Sequence, residues 1–150
     1  MSMQNQLKET LTFLKNKGFK NPEIGIVLGT GLGKLVDEIF IEKEIAYSEI
    51  PHFPEATVEF HSGKLIFGEL SGKKVVVMSG RFHLYEGYNP WDVTYGIRTM
   101  HGLGIKNLLI SNAAGAVNLS YKKGDLMLIE DHINLQGQSP LAFKEAKSFG

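Results

Sequence analysis

Apolar positions along the chain fall into short runs separated by helical stripes. Leu7, Leu11 and Leu14 recur at helical spacing, which predicts a surface helix with one buried stripe and Gly18 as its stop. Pro22 then precedes Ile24-Gly25-Ile26-Val27-Leu28, a short buried strand that runs straight into Gly29-Thr30-Gly31-Leu32-Gly33. Beyond it, Leu32, Leu35, Val36 and Ile39 share one face of a short helix. Residues 41–60 read as irregular, with Pro51 and Pro54 bracketing a loop. Residues 65–70 and 73–78 are strand-like, and Ser71-Gly72 between them is a two-residue hairpin signal. Asn89-Pro90 starts a second helix, with Asn as N-cap and Pro in the first helical position. Val93, Ile97 and Met100 carry its core stripe, and Gly102 or Gly104 ends it. A strand over 107–111, the small-residue turn Asn112-Ala113-Ala114-Gly115 and a strand near 126–129 complete the pattern.

Helices alternating with apolar strands predict an α/β fold, with a mixed, mainly parallel central sheet flanked by helices. In such sheets ligands collect beyond the carboxyl ends of the strands. Three motifs fall at those ends: residues 29–33, 81–85 and 112–115. With no internal repeat or low-complexity tract, residues 1–150 read as part of one domain. So few strands make an unfinished α/β pattern, so the sequence reads as the front part of something longer.

Charge and cysteine content narrow the chemistry. Sixteen basic and sixteen acidic residues cancel, so no overall field draws nucleic acid or an anionic membrane, and any positive potential must be local. The absence of cysteine excludes disulfides, thiolate nucleophiles and Cys-based zinc sites, and fits a cytoplasmic protein. Residues 1–10 are polar and carry no signal-peptide apolar core. No His-Glu-x-x-His or similar spacing supports a metal.

The segment Gly80-Arg81-Phe82-His83-Leu84-Tyr85-Glu86-Gly87-Tyr88 is the most informative. It follows the apolar run Val75-Val76-Val77-Met78, and side chains two apart on extended backbone share a face. Arg81, His83 and Tyr85 are therefore expected to project together, a guanidinium, an imidazole and a phenol suited to an oxyanion. Glu86 either orients Arg81 or His83 or faces water. The loop Gly29-Thr30-Gly31-Leu32-Gly33, between strand and helix, offers backbone N–H groups to an anion, and Thr30 adds a hydroxyl. It is not a dinucleotide fingerprint, because Lys34 stands where a glycine is needed. Nor is it a Walker loop, because Leu35 follows Gly33-Lys34. Read alone, it is equally a tight structural turn. His61, before Ser62-Gly63, is either an exposed loop histidine or a lid over the site. His52 and His101 show no partner, and Asp131-His132 is no dyad, because adjacent strand residues face opposite ways. The turn Asn112-Ala113-Ala114-Gly115 either brings backbone N–H groups close to a ligand or is a tightly packed crossover.

Taken together, residues 29–33, His61-Ser62-Gly63, residues 80–88, Asn112-Ala113-Ala114-Gly115 and Asp131-His132-Ile133-Asn134-Leu135 resemble the N-terminal half of the trimeric-class purine nucleoside phosphorylases, over about residues 22–140. The resemblance implies a phosphate site in which Thr30 binds through hydroxyl and backbone N–H. Arg81 and His83 donate to the phosphate oxygens as the catalytic pair, Ala113 offers its backbone N–H and His61 closes over the site. Tyr85 is implied as the ribose contact. The implied reaction is reversible phosphorolysis of a purine nucleoside, with inorganic phosphate as a substrate and no cofactor or metal. The full protein is implied to be a homotrimer, with no nucleic-acid or membrane partner. Family members are roughly twice as long, and their purine-recognising Asn and Glu lie in the half beyond residue 150. The chain is thus expected to hold the phosphate and ribose part of the site and to turn over little alone. The related methylthioadenosine phosphorylases rank second, since their histidine-containing segment differs. A non-catalytic phosphate- or nucleotide-binding module is the alternative from another class.

Overall fold

A computed structural model describes residues 2–29, 31–54 and 63–142. Its centre is a five-stranded mixed sheet built of β1 (Ile24–Val27), β2 (Phe40–Ala46), β3 (Lys64–Leu70), β4 (Lys73–Ser79) and β5 (Asn107–Ile110), in the order β2-β3-β4-β1-β5. The half containing β2, β3 and β4 is antiparallel, and β1 joins both β4 and β5 in parallel. Ser71 and Gly72 both take positive φ, 50° and 76°, the pairing that matches a tight turn to the twist of β3 and β4. Two helices, α1 (Met3–Asn16) and α2 (Pro90–Leu103), flank the sheet.

Both ends of α2 follow from sequence. Asn89 accepts from the Asp92 N–H at 3.0 Å, Pro90 fills the first turn, and Gly104 closes the helix at φ 105°. The buried face centres on Tyr95, Gly96, Thr99, Met100 and Leu103, while Val93 and Ile97 lie at its partly buried margin. A Cβ at Gly96 would fall 2.4 Å from Met78 Sδ, so the Met78 side chain would have to shift to admit one.

Alternation along β4 supplies two cores. Val76 and Met78 face a large cluster with Leu14, Phe67, Tyr95 and Met100, whereas Val75 and Val77 face a smaller one with Ile26, Ile39 and Ile66. A strand covered on both faces needs an unbroken apolar run, which is what 75–78 provides. Within the large core, the Thr10 hydroxyl lies 2.8 Å from Tyr95 Oη and donates to the Pro51 carbonyl at 2.6 Å. Thr10 and Tyr95 are almost wholly buried, so this polar link joins α1, α2 and the loop at Pro51.

Three expectations need correction. Residues 41–46, part of the stretch 41–60 read as irregular, belong to β2: an edge strand whose outward charges, Glu42 and Glu44, pair with Lys74 and Lys64, so charge hid the strand pattern. The helix after the glycine loop is a six-residue 3-10 helix (Gly33–Glu38) with no fully buried residue; Leu32 is exposed, and only Ile39, just beyond it, is buried. The strand near 126–129 is absent. Residues 112–142 contain no helix or strand, and Leu126, Met127, Leu128 and Ile129 are all exposed. A strand needs a ladder partner to satisfy its backbone, and among the described residues nothing pairs with this run.

Candidate phosphate-binding site

The site grows from the end of β4. Gly80 takes φ 101°, conformationally open only to glycine at low cost, and its carbonyl accepts the Tyr47 hydroxyl at 2.7 Å. Burial pushes the Tyr47 phenol well above its ordinary range, so it stays a neutral donor. Phe82 then plugs into the core, its ring 5.3 Å from those of Tyr47 and Tyr88. With Phe82 buried, its neighbours Arg81 and His83 are only partly buried and meet on the other side of the backbone, where Arg81 Nε lies 3.3 Å from His83 Nε2.

In that contact Arg81 donates to the Nε2 lone pair of the ring. Nδ1 is buried, makes no hydrogen bond among the described residues, and lies 3.4 Å from Glu86 Oε1. The second carboxylate oxygen of Glu86 accepts the His83 backbone N–H at 2.9 Å. Glu86, with only 8% of its side chain exposed, therefore orients His83 and does not face water.

Tyr85 reaches the cluster by a route the period-two reading did not foresee. Extended backbone stops at His83, because Glu86 ties back to the His83 N–H and residues Leu84–Glu86 wind into a 3-10 turn closed by Gly87 at φ 93°. Tyr85 then stacks on the His83 ring, 4.7 Å between centroids and 19° between planes, and remains 82% exposed. An exposed flat ring beside an imidazole can contact an apolar or sugar face while its hydroxyl stays wet.

A second strand end approaches from β5. Arg81 Nη1 donates to the Ser111 carbonyl at 2.7 Å, which ties the guanidinium to the residue just past that strand. The Ser111 hydroxyl accepts the Gly29 N–H at 2.8 Å, so the end of β1 joins the same knot. A Cβ at Gly29 would fall 2.7 Å from the Ser111 carbonyl oxygen, so only glycine permits this approach. Sequence reasoning missed Ser111 and Tyr47. A serine closing an apolar strand just before a small-residue turn was the available signal for the first; nothing in the sequence marks the second.

The structure thus brings Arg81, His83, Tyr85, Glu86, Gly29 and Ser111 together. Ala113 lies two residues past Ser111 on exposed backbone. Thr30 and His61 lie outside the described residues. His52, read as unpartnered, pairs with Glu9 at 2.7 Å on the surface. Asp131 accepts the His132 backbone N–H at 2.8 Å, on exposed irregular chain. A groove of about 1000 Å³ between α1 and α2, lined by Leu7, Leu11, Ile97 and Leu108, contains none of the strand-end residues. Among the described residues, the chemistry therefore concentrates on an open, polar, half-buried cluster that holds a fixed guanidinium.

Comparison with known proteins identifies the family. The family model of the phosphorylase superfamily matches residues 23–149. Purine nucleoside phosphorylase 1 of Geobacillus stearothermophilus is 52% identical over 135 residues, covering 90% of this chain and 49% of that protein. Its namesake in Bacillus subtilis (strain 168) is 45% identical over 148 residues, 99% of this chain and 55% of that protein. Among solved structures, a purine nucleoside phosphorylase in complex with ribose-1-phosphate superposes with a TM-score of 0.76 at 51% identity, over 81% of this chain and 44% of the other. A Schistosoma purine nucleoside phosphorylase in complex with hypoxanthine gives 0.75 at 49%, over 83% and 43%. The chain spans about half the length of the curated relatives it matches. By the residues it shares and the sheet it folds into, the chain belongs to the phosphorylase superfamily.

Proposed function

We propose that this chain carries the phosphate and ribose part of a purine nucleoside phosphorylase site. The reaction is reversible phosphorolysis of a purine nucleoside or 2'-deoxynucleoside. A phosphate oxygen attacks the anomeric carbon, the carbon–nitrogen bond to the base breaks, and its electron pair leaves with the purine, which takes up a proton. The products are free purine and (2-deoxy)ribose 1-phosphate. Positive charge builds on the sugar as the bond breaks, and a bound phosphate dianion stabilises it from the opposite face.

The observation that carries this reading is the strand-end guanidinium, fixed by Ser111 and facing His83, which is in turn backed by Glu86. Arg81 is the fixed cation for phosphate, and His83 is the second side chain of the pair. Thr30, Ala113 and His61 complete the phosphate contacts, and Tyr85 lies against the ribose. We further propose that the complete protein is a cytoplasmic homotrimer acting in purine salvage, without metal or cofactor. The identity to purine nucleoside phosphorylases across most of this chain supports the phosphorolysis reading. Release of hypoxanthine from inosine, measured with and without phosphate in the complete protein, tests the reading. Removing one preorganised donor costs about 2.7–4 kcal/mol of barrier, so Arg81→Ala should lower phosphorolysis roughly 100- to 1000-fold. Near-normal phosphorolysis by that variant would remove Arg81 from the site.

A further inference from the structure

The parallel ladder between β1 and β5 has an irregularity at its last rung. The register pairs Val27 with Ile110, so the next positions are Leu28 and Ser111. Ser111 keeps the expected backbone bond, donating to the Val27 carbonyl at 3.2 Å. In a regular parallel ladder the Ser111 carbonyl would then accept the Gly29 N–H. Instead the Gly29 N–H goes to the Ser111 hydroxyl at 2.8 Å, and that hydroxyl donates its own proton to the Val27 carbonyl at 3.3 Å. The carbonyl released from the ladder holds Arg81 Nη1 at 2.7 Å.

We infer that Ser111 is a positioning residue for Arg81: its side chain takes over a rung of the sheet so that its main chain can hold the guanidinium. The inference rests on the reading of Arg81 as the phosphate-binding cation. Two of the guanidinium's N–H groups are committed, Nε toward His83 and one Nη1 proton to Ser111, and both anchor the plane. The remaining N–H groups share that fixed plane and keep one orientation for an anion. Gly29 is part of the same device, because a side chain there would collide with the carbonyl that holds Arg81. Without the hydroxyl, the Gly29 N–H returns to the position-111 carbonyl and draws it back into line with the ladder, away from Arg81, so the guanidinium loses its fixed orientation. Threonine, which keeps a hydroxyl on the same carbon, preserves the arrangement.

NMR on the 150-residue chain tests this, with inorganic phosphate as the probe. In the unaltered chain, the scalar coupling that crosses a hydrogen bond from the Gly29 nitrogen to the Ser111 carbonyl carbon should be absent; finding it would overturn the inference without any variant. In Ser111→Ala that coupling should appear, and phosphate affinity should fall about tenfold, the effect of losing one well-made hydrogen bond to a polar site. Ser111→Thr should bind within about threefold of the parent, the margin left by one retained hydrogen bond. Equal affinity in Ser111→Ala, or equal weakness in Ser111→Thr, would overturn the positioning role while leaving phosphate binding by Arg81 standing. If the unaltered chain binds no phosphate, the reading of Arg81 itself fails, and this inference fails with it.

Discussion

Two apolar runs of four residues meet opposite fates in this chain. Val75-Val76-Val77-Met78 is at most 2% exposed, while Leu126-Met127-Leu128-Ile129 is between 51% and 100% exposed. By hydrophobicity alone the second is as good a strand as the first. The difference lies in neighbours. Residues 75–78 have β3 on one side and β1 on the other, with a core on each face. Among the described residues, 126–129 have neither a ladder partner nor a covering layer. An apolar run is a demand for a partner, and it becomes a strand only where the backbone's own donors and acceptors are also met.

A charge placed in the two runs should separate them most sharply. Val77→Asp puts an uncompensated carboxylate between β3 and β1, which costs about 3–5 kcal/mol and should abolish the cooperative urea transition followed by circular dichroism. Leu128→Asp, at the other end of the scale, should leave the midpoint unchanged within about 0.5 kcal/mol. If both variants melt alike, the contrast between the regions is wrong.

Polar groups inside the packed region come next in size. Thr10→Val strands the Tyr95 hydroxyl and the Pro51 carbonyl, and should cost about 1–3 kcal/mol by urea denaturation. Tyr47→Phe removes the bond to Gly80 and should cost about 1 kcal/mol. It also carries a pH signature. Burial raises both the Tyr47 and Tyr95 phenols above their ordinary value. A raised folded-state pKa means that stability is fully present below the unfolded value, about pH 10, and is lost as pH rises above it. Tyr47→Phe should therefore flatten the alkaline limb of the stability curve. A limb as steep as the parent's would mean that Tyr47 is not the buried neutral donor described above.

The sequence made legible those elements whose local signals agree with the tertiary outcome. The Ser71-Gly72 hairpin, the Asn89-Pro90 helix start and the core strand at 75–78 each carry turn or cap chemistry or apolar pattern that agrees with the fold. β2 was hidden because an edge strand needs charge where a core strand needs hydrocarbon. At the site, the association of Arg81 with His83 was legible from spacing, yet the geometry of Tyr85 was not, because the Glu86 carboxylate curls the backbone into a 3-10 turn. Ser111 was illegible for a plainer reason. Its role depends on which of two acceptors on one residue takes a single N–H, and only the register of β1 against β5 decides that.

Phosphate binding is the property on which the reading of the strand ends depends. Titrating inorganic phosphate into the 150-residue chain and into its Arg81→Ala variant, with calorimetry or phosphorus NMR as the readout, addresses it without requiring turnover. Saturable binding that weakens with added salt and is lost in Arg81→Ala is the expected result. Equal phosphate affinity in the two chains would show that the guanidinium at the end of β4 is a structural tie and not an anion site.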